Sequence, residues 1–135
     1  MVEEKEAERQ TRLQALRRQG MRWVVLLALK YDLTNKKVVL PPSINEEFRL
    51  AKTMLASGCY SPCDVNCSLD KIESPLIQAA ANFNGGFENF DHWLFLLKKA
   101  MHGNLTRQEV NHLPFVEPIV QKCEFLECLC NDKET

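Results

Sequence analysis

The 135-residue sequence predicts an all-α protein, an irregular, orthogonal bundle of about five to seven helices with a charged helical extension at its N-terminus. Apolar residues recur at spacings of three and four along most of the chain, which is the helical period. Pro, Gly and helix-capping pairs separate these segments. Only Val38–Leu40 resembles a strand, and the following Pro41 and Pro42 end it. Because the predicted helices differ in length, an orthogonal bundle is favoured over an up-and-down one.

The first predicted helix covers about Glu3 to Lys30 and changes character along its length. Its apolar stripe consists of Leu13, Leu16, Gly20, Val24, Leu27 and Tyr31. The first half is highly charged, whereas Trp23–Leu29 is apolar on nearly every side and should lie in the core. Gly20 is the expected break between the halves. We therefore expect residues 1–20 to form a charged helical extension and residues 21–135 a single helical domain.

Capping residues set the expected ends of the other helices. Ser43 and Glu46 have the capping-box spacing and predict a helix to about Ser57. Its expected inward residues are Phe48, Leu50, Ala51, Met54 and Leu55. Ser61 as N-cap and Pro62 as first residue predict a helix start, and Ser74-Pro75 predicts the start of another helix that runs through Ala81.

The C-terminal half contains the expected central core helix, Asn89 to Met101, which Gly103 ends. Its expected apolar face consists of Phe90, Trp93, Leu94, Leu97 and Met101, widened by Phe95 and Leu96. Thr106 and Glu109 predict a second capping box over a short helix, which Pro114 ends. A last helix is expected from about Pro118 to Cys130.

Charge and hydropathy limit the partners and the compartment. The net charge of −1 argues against a dedicated nucleic-acid-binding domain, although Arg9, Arg12, Arg17, Arg18 and Arg22 form a local excess. The longest apolar run, Trp23–Leu29, is far shorter than the ~20 residues of a membrane-spanning helix. The charged N-terminus does not resemble a secretory signal, so we expect an intracellular protein of the cytoplasm or nucleus. Two glycosylation sequons, at Asn66 and Asn104, point weakly the other way.

Six cysteines carry the most reactive chemistry of the chain. Cys59, Cys63 and Cys67 are spaced by four and, with Cys128 as fourth ligand, would make a zinc site; Cys130 or a histidine are alternative fourth ligands. Alternatively Cys63, near the positive end of a helix dipole, would be a reactive thiol. The third interpretation is that these cysteines are small apolar packing residues. Cys123 and Cys130 favour this last interpretation, because they fall on a helical seam with Ile119 and Leu126.

Catalytic and ligand-binding motifs are absent elsewhere. The sequence has no nucleotide-binding glycine loop, no nucleophile elbow and no His-Glu-x-x-His pair. His102 is expected at a helix C-terminus, where a cation is favoured. Residues 102–109 resemble the second half of an EF-hand calcium loop, with Gly103 and Glu109 in place. However, the preceding ligand positions would be Lys98, Ala100 and His102, which offer no side-chain oxygen.

These observations favour a non-enzymatic protein-interaction module, an adaptor or regulatory subunit. It would bind another protein, or a second copy, through the N-terminal helix, because an amphipathic stripe must be covered. The expected binding residues are Arg9, Arg12, Leu13, Leu16, Arg17 and Arg18. Two alternatives remain: a zinc-stabilised helical binding domain using Cys59, Cys63 and Cys67, and a thiol-based redox sensor or enzyme centred on Cys63. The expected cofactor is accordingly none or zinc.

Overall fold

The protein is all-α throughout the residues that its structure describes. The computed structural model describes residues 6–57, 61–83 and 89–113. In these ranges five helices follow one another: α1 (Glu6–Asn35), α2 (Ser43–Ser57), α3 (Pro62–Ala81), α4 (Phe90–Met101) and α5 (Arg107–Asn111). The predicted helix from Pro118 to Cys130 lies outside the described residues.

Helix α1 is the centre of the fold and packs against α2, α3 and α4, while α2 also packs against α3. Every residue of Trp23–Leu29 is buried, as the all-round apolar composition predicts, and burial extends back to Met21 and Arg22. The central position expected for α4 therefore belongs to α1. The predicted break at Gly20 is wrong, because α1 continues through this residue, which is buried. Packing on three sides outweighs the roughly 1 kcal/mol that a helical glycine costs.

Helix α2 confirms most of its predicted inward face. Ile44, Phe48, Ala51, Met54 and Leu55 are buried, and the prediction for Leu50 is wrong because it is 45% exposed. Leu50 follows Phe48 by two positions, which turns its side chain away from that of Phe48. The predicted N-cap role of Ser43 is wrong, because the helix begins at Ser43 itself, and Glu46 accepts a hydrogen bond from Arg49.

Helix α3 begins as predicted but is longer than predicted. Ser61 is its N-cap, with its Oγ accepting from the Asp64 amide at 3.2 Å, and Pro62 is the first residue. The predicted new start at Pro75 is wrong, because α3 continues through it to Ala81. A proline inside a helix removes one backbone donor. Burial of Ile72 and Leu76 on either side holds the helix against the core.

Helix α4 confirms part of its predicted inward face. Trp93, Leu96, Leu97 and Ala100 are buried. The core assignment of Leu94, Phe95 and Met101 is wrong, because they are 38%, 53% and 54% exposed. The predicted termination holds: Gly103 has a φ of +73°, and the Asn104 amide donates to the Lys99 carbonyl at 2.9 Å. The predicted capping box of Thr106 and Glu109 is also confirmed.

Polar contacts fix α1 against its neighbours. The buried Arg22 donates to Asp70 at 2.7 Å and to Glu73 at 3.1 Å on α3. Gln19 donates from Nε2 to the Pro62 carbonyl at 2.7 Å. Trp23 donates from its indole to the Phe48 carbonyl of α2 at 3.1 Å. Each of these hydrogen bonds requires its donor and acceptor to lie at fixed positions along their helices. Together they favour a single register between α1 and its neighbours.

Candidate functional site

The N-terminal residues expected to bind a partner divide between surface and core. Arg17 and Arg18 are exposed, whereas Leu16 is half-buried and packs against the core. Arg22, the last member of the arginine cluster, is neutralised by two carboxylates of α3. The side chains of Arg9, Arg12 and Leu13 lie outside the described part of the structure. Among the side chains described in residues 14–20, the one large apolar residue is Leu16, and the domain itself already covers it in part.

Arg18 connects α1 to the C-terminal end of α4. A Cβ placed on Gly103 would lie 3.0 Å from both Cγ and Nε of Arg18. Arg18 therefore runs alongside the turn that ends α4, next to the exposed Met101. These two residues also line a small pocket of about 170 Å³ with Arg22 and Gln19.

The cysteines predicted as ligands or nucleophiles lie at the start of α3. Cys63 and Cys67 are exposed free thiols, one helical turn apart. Cys59 and Cys128, the other two predicted ligands, lie outside the described residues. Across the described ranges, no group of three or more His, Cys, Asp or Glu side chains is arranged to hold a metal ion. The zinc site and the reactive thiol stay predictions.

Two of the three histidines line a cleft between α1, α4 and α5. The cleft encloses about 480 Å³, a size typical of small-molecule sites. Trp93, Leu96 and Leu113 form its apolar wall, and Asp32, His92 and His112 lie among its polar residues. The third histidine, His102, is exposed and is the C-cap of α4, as predicted.

Three polar residues of this cleft, Asp32, Glu109 and His112, are hydrogen-bonded to residues near the end of α1 and in or around α5. Asp32 accepts from Lys36 at 3.0 Å, and His112 Nδ1 lies 2.6 Å from the Gln108 carbonyl oxygen, to which it donates. Glu109 accepts from Lys99 at 2.6 Å and from the Thr106 amide at 3.0 Å. Burial raises the pKa of Glu109, but the hydrogen bonds from Lys99 and Thr106 outweigh it, so the pKa falls below its usual value. These carboxylates and this imidazole stabilise local structure.

The solvent-facing side of α4 is the most distinctive surface of the described fold. We define the outer face of α4 by the exposed residues Asp91, Leu94, Phe95, Lys98 and Met101. The Phe95 ring stacks with His92 at a centroid distance of 6.4 Å, and Lys99 Nζ lies 5.5 Å from the same ring centroid. Phe95 is thus held at the surface by neighbours one turn away on each side.

The sequence pattern predicts Leu94, Phe95 and Met101 of this face in the core, because seven of the twelve residues of α4 form one broad apolar surface. An amphipathic helix needs an apolar stripe only slightly more than about 100° wide to cover a core. The excess width was the signal that some of these residues face elsewhere. The sequence alone did not decide which edge of the broad surface would be buried.

In comparisons with known proteins, no family model, no curated protein and no solved structure matches this chain. Within the described ranges, no helix has the length and apolar character needed to cross a membrane.

Proposed function

We propose that this protein is a small, non-enzymatic helical interaction module whose binding surface is the outer face of α4. The complete domain, in this proposal, is an orthogonal bundle of five to seven helices. The observation that carries the proposal is the clustering of exposed hydrophobic side chains. Six large hydrophobic residues are exposed in the described part of the chain, and three of them, Leu94, Phe95 and Met101, lie on the twelve residues of α4.

The remaining exposed hydrophobic residues lie in three different elements of the chain. Tyr31 lies on α1, Val39 in the connector that follows it, and Leu50 on α2. Isolated exposed apolar residues are normal on a protein surface, whereas several on one face indicate a binding site. Covering such a face releases ordered water and adds favourable dispersion contacts. The side chains on a helix face form ridges and grooves, and the side chains of another helix can pack into these grooves.

The charged N-terminal segment contributes to this surface in the proposal. Arg18 lies against the Gly103 turn at the end of α4, so its cationic side chain borders the apolar face near Met101. A polar rim around an apolar centre is the usual anatomy of an interface. Arg17 and Arg18 would form this rim, whereas Leu16 packs against the core. We propose an intracellular location, in the cytoplasm or nucleus, where the cysteines stay reduced.

Site-specific photo-crosslinking in the native cells tests this function. A photoreactive amino acid replaces Phe95 in one variant and Val39 in a matched control, since Val39 is 93% exposed and outside α4. We expect discrete crosslinked products from position 95 and none from position 39. Equal labelling from both positions, or no product from position 95, would contradict the proposal.

A further inference from the structure

We propose that the partner on the outer face of α4 is a second copy of this chain, packed antiparallel about a two-fold axis between Leu94 and Phe95. This inference rests on the proposed function and names its partner. It differs from self-association through the N-terminal helix, because the interface lies on α4. Its basis is the arrangement of charge and apolar surface along one helix.

The charges on this face are placed symmetrically about its apolar centre. Asp91 precedes Leu94 by three residues, and Lys98 follows Phe95 by three. At 1.5 Å per residue, each charge lies about 5 Å along the helix axis from the midpoint, in opposite directions. An antiparallel copy crossing at this midpoint brings Asp91 opposite Lys98 of the partner subunit. The two-fold axis repeats the same pair on the other side.

The alternating charges select this partner over one of a single charge sign. A uniformly acidic helix would meet Asp91, and a uniformly basic helix would meet Lys98, and both encounters place like charges together. Both residues are exposed and remain accessible to a partner. Lys99, by contrast, is held by Glu109 at 2.6 Å and points to its own subunit. Self-complementarity is the property that an isologous interface requires.

The apolar centre has the properties of an interface anchor. Phe95 is 53% exposed, yet its ring is already positioned by His92 and Lys99, so little side-chain freedom is lost on association. Aromatic residues and Met are enriched at interface centres. Leu94 lies beside Phe95, and Met101 extends the apolar surface by two turns with a side chain that adapts to its neighbour. A short helix of twelve residues buries less than a standard interface, so we expect a weak dimer, with a Kd on the order of 10–100 μM.

Charge-reversal variants of the full chain test this geometry by sedimentation velocity across a concentration series. Reductant is present throughout, because Cys63 and Cys67 are exposed and would otherwise form disulfides between copies. We expect the wild type to shift from monomer to dimer, more weakly at high salt. Asp91→Lys alone or Lys98→Asp alone places like charges opposite each other twice, so each Kd should rise at least about tenfold.

An equimolar mixture of the two single variants is the decisive sample. In the mixed dimer every introduced charge faces an opposite charge, so association should return to about the wild-type level. Leu94→Asp should abolish association, whereas Val39→Asp, which changes an exposed hydrophobic residue outside α4, should leave it unchanged. Circular dichroism of each variant confirms that the helices are intact. A mixture that stays monomeric overturns the antiparallel geometry.

The outcomes separate this inference from the proposed function. Self-association is overturned if the wild-type protein stays monomeric at protein concentrations up to about 1 mM, which is well above the expected Kd. If position 95 nevertheless crosslinks to a different protein, the interaction module stands with another partner. If position 95 also gives no product, both the inference and the proposed function are overturned.

Discussion

Arg22 belongs to the N-terminal arginine cluster, but its side chain is buried, whereas Arg17 and Arg18 are exposed. Its side chain is only 6% exposed and bonds Asp70 and Glu73, which are 70% and 27% exposed. Arg22→Ala removes two charge-assisted hydrogen bonds and the packing of the side-chain stem, so we expect a loss of about 2–3 kcal/mol in the free energy of unfolding. Asp70→Asn should cost less than about 1 kcal/mol, because exposed pairs contribute little. Urea unfolding of each variant measures both values, and similar losses would contradict this asymmetry.

Glu109 makes stability depend on acid pH. Burial raises the pKa of Glu109, but the hydrogen bonds from Lys99 and Thr106 lower it by more, so the pKa lies below the usual value of 4.5. A carboxylate with a lowered folded-state pKa stabilises the fold above its unfolded pKa, and this contribution disappears as the pH falls through the folded pKa. We therefore expect Glu109→Gln to be less stable than wild type by about 1 kcal/mol at pH 7.

The same pair of proteins gives the pH profile. Urea unfolding between pH 7 and about pH 2.5 should show the two stabilities converging below about pH 4.5, as wild-type Glu109 is protonated. Thr106→Ala removes the other half of the capping box and is the control that retains the Lys99 bond. A constant difference between wild type and Glu109→Gln at every pH would show that the ionised carboxylate contributes nothing.

At the scale of elements, α1 and α4 end in the same way with different residues. Gly103 follows α4 with φ +73°, and Lys37 follows α1 with φ +64°, where the Val38 amide donates to the Leu33 carbonyl at 3.0 Å. This left-handed position costs about 1–2 kcal/mol for a residue with a Cβ. We expect Gly103→Ala to destabilise by about this amount and Lys37→Gly to stabilise by up to about 1 kcal/mol, after the entropic cost of glycine.

Thermal and urea unfolding of the two variants check these opposite signs. Gly103→Asn is the control, because Asn tolerates the left-handed conformation and should cost less than Ala. Part of the Gly103→Ala cost could come from the 3.0 Å approach to Arg18. Arg18→Ala removes this contact. If Gly103→Ala destabilises the Arg18→Ala background as much as the wild type, the cost comes from the left-handed backbone at residue 103. Lys37→Gly that destabilises would contradict the interpretation.

Sequence patterns predicted elements where the signal was local. The N-cap at Ser61, the capping box at Thr106 and the termination at Gly103 each depend on residues within one turn, and all three are confirmed. Pro75 and Gly20 predict helix boundaries, because proline and glycine both disfavour the interior of a helix. Both lie inside continuous helices, where burial of neighbouring residues outweighs propensity.

Local sequence patterns did not predict that the outer face of α4 would be exposed. The periodicity of α4 identified a helix with too many apolar residues but did not determine its rotation about its axis. That rotation depends on α1, which packs against α4 from a distant part of the sequence. The sequence likewise places Arg22 in a charged cluster but does not show its partners. Asp70 and Glu73, which bind it, lie 48 and 51 residues further along the chain.

At the scale of the whole molecule, α1 joins the N-terminal segment to the core without interruption. The expected boundary after residue 20 falls inside this helix, between the buried residues Gly20 and Met21. On the core side of the segment, Gln19 bonds the Pro62 carbonyl and Leu16 packs against the core. Any removal of residues 1–20 therefore removes core contacts together with the charged segment.

Two truncations measure this coupling. We expect the fragment 21–135 to stay folded but to lose about 2 kcal/mol, from one hydrogen bond and one partly buried leucine. A fragment that lacks only residues 1–13 retains Leu16 and Gln19 and should lose less in urea unfolding. Equal losses would show that the stabilising contacts lie before residue 14. The same fragments compare the two surfaces, because both retain α4. Loss of the rim residues Arg17 and Arg18 should only weaken self-association of the fragment 21–135, because exposed charges contribute little. Self-association that disappears from this folded fragment would instead place the interface on the N-terminal segment.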